Sequence, residues 1–216
     1  MQRQSAGSRR VGILGGTFDP PHIGHLAAAL DAAWELRLDR VLWVVAGDPW
    51  QKTSTAEITA GELRWEMVRA ALAGHPGHLA SDVELRRTGP SYMVDTLREL
   101  AGHPDVGAGG RSELPGVGLV LLLGADAARN LPSWHQAGDL ADLAEIAVFA
   151  RNGVGPSAVA AELGSGWPIR PVDAVELDVS SADIRRRVAE DRPIEGLVAP
   201  GVCSLIRLHG LYGVAG

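Results

Sequence analysis

Gly15-Gly16-Thr17-Phe18-Asp19-Pro20-Pro21-His22-Ile23-Gly24-His25 stands between an apolar run at 11–14 and an alanine- and leucine-rich run at 26–36. The sequence reads there as strand, glycine turn and helix, the outline of a phosphate site. Gly15 and Gly16 let backbone approach a ligand where a Cβ would collide. Pro20 and Pro21 suit the opening of a helix, where missing N–H groups are no loss. His22 and His25, three residues apart, then fall on one face of the first turn. Unpaired amides and the positive end of the helix dipole favour an anion there, and Thr17 offers a hydroxyl nearby. Taken singly, a Gly-Gly-Thr turn is common and a histidine is usually structural. Two histidines on one exposed first turn, directly after a glycine turn, point to function. A zinc site on His-x-x-His is the weaker reading, because no Cys or further His lies at a supporting spacing.

The whole chain has 216 residues, 46% of them hydrophobic, which suits one globular domain. Residues 1–10 are polar and basic with no apolar segment after them, so they read as a disordered tail and not as a signal peptide or membrane anchor. The single cysteine, Cys203, excludes an internal disulfide framework, agrees with a cytoplasmic location and is expected to pack in the last helix. A net charge of −6 argues against nucleic acid as partner. An acidic protein that handles phosphates must focus positive charge locally, and His22, His25, Lys52 and Arg185 are the candidates.

Downstream, the pattern predicts a helix over about 21–37 with an apolar stripe of Leu26, Leu30, Ala33, Trp34 and Leu36. A buried strand is expected at 41–45, leading into a loop at 46–52 where open α/β sheets place ligands. Thr59 and Glu62 have capping-box spacing, which predicts a helix over about 60–73; Arg64 on it either faces the site or is exposed. A short strand at 79–85 precedes Pro90-Ser91-Tyr92-Met93-Val94-Asp95-Thr96-Leu97, where Ser91 suits a helix N-cap. Residues 101–116 read as a loop insertion. The most apolar strand, 117–123, runs into Gly124-Ala125-Asp126. Another strand, 145–150, ends at Arg151 before a Gly- and Pro-containing loop. A last strand at 169–179 enters Val179-Ser180-Ser181-Ala182-Asp183-Ile184-Arg185, where Ser180 or Ser181 caps a helix whose amides face phosphate and Arg185, one turn in, grips it. Residues 199–216 read as a final helix with a Gly-rich end. Strands alternating with helices, with each candidate segment at a strand end, give a Rossmann-like doubly wound α/β parallel sheet in a single domain, 11–216. The Gly-x-Gly-x-x-Gly dinucleotide fingerprint is absent, which disfavours a nicotinamide-dependent dehydrogenase.

Gly-Gly-Thr-Phe-Asp-Pro-x-His-x-Gly-His resembles the signature of the nucleotidyltransferase superfamily, and with the downstream pattern it looks most like bacterial nicotinate mononucleotide adenylyltransferase. The 179–185 segment resembles the superfamily's Ile-Ser-Ser-Thr-x-Ile-Arg, with Val179 for Ile and Ala182 for Thr. The resemblance implies transfer of adenylate from ATP to nicotinate mononucleotide in NAD biosynthesis, with Mg²⁺ carried by ATP and no resident metal. It implies that His22, His25, Lys52 and Arg185 act on phosphates. It places Gly15, Gly16, Thr17, His25, Gly124, Asp126, Phe149, Arg151, Ser180, Ser181, Ile184 and Arg185 around ATP, with Asp126 on a ribose hydroxyl. It places Thr17, Phe18, His22, Lys52, Ser91, Tyr92 and Trp134 around the pyridine nucleotide, with Trp134 stacked on the ring. Such a π face against an electron-poor pyridinium is worth about 0.5–2 kcal/mol. Met93 stands where the family usually has Thr. The string His22-Ile23-Gly24-His25 also occurs in class I aminoacyl-tRNA synthetases, but their second, lysine-rich signature is missing here. Nicotinamide mononucleotide or phosphopantetheine as acceptor, and a silent nucleotide-binding module, remain open alternatives, as does a homo-oligomer.

Overall fold

The computed structural model describes residues 9–47, 58–102 and 117–213. Six strands form one all-parallel sheet: β1 (Arg10–Gly16), β2 (Arg40–Val45), β3 (His78–Ser81), β4 (Gly118–Gly124), β5 (Glu145–Phe149) and β6 (Ile169–Val172). Their spatial order is β3-β2-β1-β4-β5-β6, the doubly wound arrangement. The helices are α1 (Ile23–Glu35), α2 (Gly61–Ala71), α3 (Met93–Gly102), α4 (Ala125–Arg129), α5 (Leu140–Leu143), α6 (Pro156–Leu163), α7 (Ser181–Ala189) and α8 (Pro200–Leu208). None of them is long and apolar enough to cross a membrane.

The strand period of two divides the core. Val11, Ile13, Leu42, Val44, Leu119, Leu121 and Leu123 point to one face, with residues of α3 to α6. Leu14, Val41, Trp43, Val45, Val120 and Leu122 point to the other, with α1. Both faces are covered, so each strand reads as an unbroken apolar run. A third cluster, built by Met67, Ile184, Val202, Cys203 and Ile206, joins α2, α7 and α8. Chain direction reverses its progress across the sheet between β1 and β4, and in such sheets ligands bind outside the carboxyl ends of the strands at that point. Gly16 and Gly124 close those two strands.

Several elements differ from the sequence expectation. The first helix starts at Ile23 and buries Ala28, Ala29, Ala32 and the flanking Leu36, leaving Leu30 exposed and Trp34 87% exposed; small side chains let the helix lie close to the sheet. No capping box forms before α2: Ala60 is the N-cap, and the Thr59 backbone is engaged with Asp19 and Arg64 instead. β3 ends at Ser81 because residues 82–86 close a turn on the Asp82 carbonyl. Residues 156–163 form α6 and not a loop, opened by Pro156 after Gly155. β6 stops at Val172, where the amides of Asp173 and Val175 turn to the carboxylates of Glu35 and Asp31 on α1. The final helix is the shorter α8, with Cys203 buried as expected. Of the expected tail, Arg10 already belongs to β1; residues 1–8, most of the 101–116 insertion and Lys52 lie outside the described residues.

Candidate active site

After β1 the chain turns through Phe18, held at φ 51° with its ring buried. It then enters α1 with His22 as the extended N-cap (φ −140°, ψ 171°). The His22 amide donates to His25 Nδ1 at 3.2 Å, which leaves a neutral His25 with its proton on Nε2. The two imidazoles stack at 3.7 Å. Phe18 meets the His25 ring edge-on at 5.2 Å, and Trp43 backs it at 6.4 Å. His25 is thus locked by aromatic walls and one hydrogen bond.

His22 corrects the expectation of an exposed, charged first turn. It is 4% exposed, and neither ring nitrogen has a hydrogen-bond partner among the described residues. Burial, then the nearby Arg151 guanidinium, lowers its pKa to about 4. His22 is therefore a neutral imidazole at pH 7 with buried polar atoms that call for a ligand. The sign of the pH effect follows. Between pH 6.5 and about 4 the unfolded chain binds a proton at this site and the native chain does not, so stability falls as pH falls through that window. Going from pH 7 to 5 is expected to cost about 2 kcal/mol from this group. Thermal melts of wild type and His22→Gln at both pH values check it: the variant should lose that part of the pH dependence, and parallel slopes would refute it.

The second motif folds back onto the first. Ser180 caps α7 by accepting from the Asp183 amide at 3.1 Å. The Ser181 hydroxyl donates to the Pro20 carbonyl at 2.8 Å, and Arg185 Nη1 donates to the Asp19 carbonyl at 2.7 Å. Arg185 is thereby pinned beside the histidine turn. Ile184 is buried in the third cluster, so only its backbone can face a ligand. Arg186 pairs with Asp183 on the solvent side.

Three residues that the sequence reading did not assign complete this turn. Asp19 is buried; its carboxylate accepts from Tyr212 Oη at 2.5 Å and from the Thr59 amide at 3.2 Å. Burial and the Asp19 carboxylate both raise the Tyr212 pKa. Arg64 is neither site-facing nor exposed: at 2% exposure it donates to the carbonyls of Thr59 at 2.8 Å and Thr17 at 2.9 Å. A third, longer bond reaches Gly47 at 3.5 Å. The only signal for Asp19 in the sequence was its place inside the first motif.

Beyond β4, Asp126 sits in the first turn of α4 and accepts from the Ala127 amide at 2.9 Å. Arg151 and Asn152 approach its other oxygen at 3.5 and 3.4 Å. A cavity of about 600 Å³ opens beside them, lined among others by Gly24, Phe149, Arg151, Gly153, Leu177 and Val179. On the opposite side, Tyr92 stacks on His135 at 4.2 Å. Trp134 packs half-buried against the core, its Nε1 without a partner among the described residues. No group of three His, Cys, Asp or Glu among the described residues is placed to hold a metal ion.

The switch point of the doubly wound sheet thus brings together a glycine turn, paired histidines and a second capped helix bearing an arginine. The Cytidylyltransferase-like family matches residues 13–187. The chain is 41% identical over 94% of its length to a Synechococcus sp. (strain JA-3-3Ab) protein named probable nicotinate-nucleotide adenylyltransferase, covering 95% of that protein. It is 37% identical to a protein of the same name from Shouchella clausii, covering 95% of this chain and 97% of the relative. In fold it is similar to the Plasmodium falciparum nicotinic acid mononucleotide adenylyltransferase solved with NaAD, with a TM-score of 0.68 at 15% identity over 94% of this chain and 97% of that one. The chain belongs to the nicotinate-nucleotide adenylyltransferases, within the cytidylyltransferase-like family.

Proposed function

We propose that this protein transfers adenylate from ATP to the 5′-phosphate of nicotinate mononucleotide, releasing pyrophosphate and nicotinate adenine dinucleotide for NAD biosynthesis. The observation that carries the reading is His22: a buried, neutral imidazole with both nitrogens unpartnered among the described residues, stacked on His25 at the amide end of α1. Such a pair is built for phosphate oxygens.

A phosphate oxygen of the acceptor is already a nucleophile, so no residue needs to bond covalently to substrate. The work is to align two anions that repel each other and to stabilise charge on the pentavalent α-phosphorus and the departing pyrophosphate. His25 Nε2–H and His22 donate to the reacting phosphate. The α7 amides and Arg185 receive the β- and γ-phosphates. Gly15, Gly16 and Gly124 leave room for the nucleotide, Asp126 takes a ribose hydroxyl, and the Phe149–Arg151 side of the cavity takes adenine. Thr17, Phe18, Ser91, Tyr92, Trp134 and Lys52 serve the pyridine nucleotide. Mg²⁺ enters as part of the substrate, bound to the triphosphate. A cytoplasmic location goes with this reaction, with ATP and nicotinate mononucleotide as partners and no role for nucleic acid or membrane.

Pyrophosphate release with Mg-ATP, supplying nicotinate mononucleotide and nicotinamide mononucleotide in parallel, tests it. The expected result is a strong preference for the acid. Equal rates would make the enzyme dual-specific, and silence with both would overturn the pyridine assignment.

A further inference from the structure

The cavity between α1, the end of β5 and the segment after β6, in the adenylyl-transfer reading, belongs to ATP, so the acceptor comes from the β1–β2 side. There the first residue of α3 lies directly on the glycine turn: a Cβ on Gly15 would sit 2.6 Å from Met93 Cε. Gly47, just past β2, is equally confined, because a Cβ there would sit 2.4 Å from the Glu84 carbonyl oxygen and 2.9 Å from Ser91 Oγ. Three segments thus meet: the end of β2, the turn after β3 and the start of α3.

Beneath that junction lies Glu84, only 4% exposed. Thr96 Oγ1 donates to its Oε1 at 2.7 Å; burial pushes the Glu84 pKa up, opposed by Thr96, the nearby Arg87 guanidinium, the Ser91 hydroxyl and the Gly47 amide, which favour its charged form. Arg87 donates to Thr96 Oγ1 at 3.0 Å and pairs with Glu99. A buried carboxyl held by donors from two other segments is costly unless all its bonds are kept.

We propose that Glu84 is the positioning residue of the acceptor half of the site, tying the end of β2 to the start of α3 so that the mononucleotide meets a preformed wall. The proposal rests on the adenylyl-transfer reading. Glu84 touches no substrate; it acts through Gly47, Ser91 and Thr96. Glu84→Gln keeps the shape but points an amide N–H₂ at donors, and the Gly47 amide cannot turn away.

Initial rates of pyrophosphate release, with nicotinate mononucleotide and Mg-ATP varied in turn, separate the two halves. Glu84→Gln is expected to raise the KM for the mononucleotide about tenfold, a loss of one charged hydrogen bond, while the KM for ATP stays within about twofold. Thr96→Val, which removes one donor and leaves the carboxylate, should shift the same KM in the same direction by less. Equal rises in both KM values, no change in either, or loss of folding by circular dichroism in both variants would make the network a general stability element and overturn the proposal. A wild-type protein that binds ATP but releases no pyrophosphate with nicotinate mononucleotide would instead defeat the reaction reading itself.

Discussion

His25→Ala is expected to lower turnover roughly a hundredfold to a thousandfold, the effect of removing one preorganised donor, about 2.7–4 kcal/mol. The imidazole needs no rearrangement to serve. Its Nδ1 is taken by the His22 amide at 3.2 Å, and its ring is held by Phe18 and Trp43. Such a donor strengthens its bond as charge grows on the phosphate, so its loss should appear in kcat more than in the KM for ATP. Because α1 packs through the buried Ala28, Ala29 and Ala32, the variant should fold. Circular dichroism together with steady-state pyrophosphate release checks both points. A folded variant with unchanged turnover would remove His25 from the mechanism.

Arg64→Met should destabilise the protein by about 3–5 kcal/mol, the range for breaking a buried charged group's partnerships from one side. The guanidinium satisfies the carbonyls of Thr17, Thr59 and, more loosely, Gly47. It also lies close enough to Asp19 for that carboxylate to oppose the lowering of its pKa by burial. Methionine fills much of the volume but leaves the three carbonyls without the guanidinium donor and takes its positive charge away from Asp19, whose carboxylate keeps only Tyr212 and the Thr59 amide. Lysine restores charge without the fork and should recover only part of the loss. Urea titration of wild type and both variants measures this. A shift below about 1 kcal/mol for methionine, at an unchanged denaturant slope, would show the network to be dispensable.

The sheet was legible because its signals are local. Continuous apolar runs marked β1, β2, β4 and β5, and the glycine turn with its two histidines marked a phosphate site after the first strand. The Ser180 cap was equally local. What escaped depends on distant partners. Which face of α1 turns inward is set by how closely the helix can approach the sheet, and that choice left Trp34 in solvent. Arg64 is defined by three carbonyls, one from the turn after β1 and two from the β2–α2 connection, which no periodicity encodes. The end of β6 depends on two carboxylates of α1 that capture its outgoing amides. α6 alone was readable and missed, since Gly155-Pro156 is an ordinary helix opening.

Three hydrogen bonds reach the signature from far along the chain: Ser181 to Pro20, Arg185 to Asp19 and Tyr212 to Asp19, spanning 161, 166 and 193 residues. The order of synthesis is thus opposite to the order of completion. The ribosome delivers the histidine turn among the first residues, yet the side chains of Ser181, Arg185 and Tyr212 that hold it arrive only with the last fifth of the polypeptide. A nascent chain that has not yet reached α7 and Tyr212 carries the sheet and the histidines without the three side chains that hold their turn.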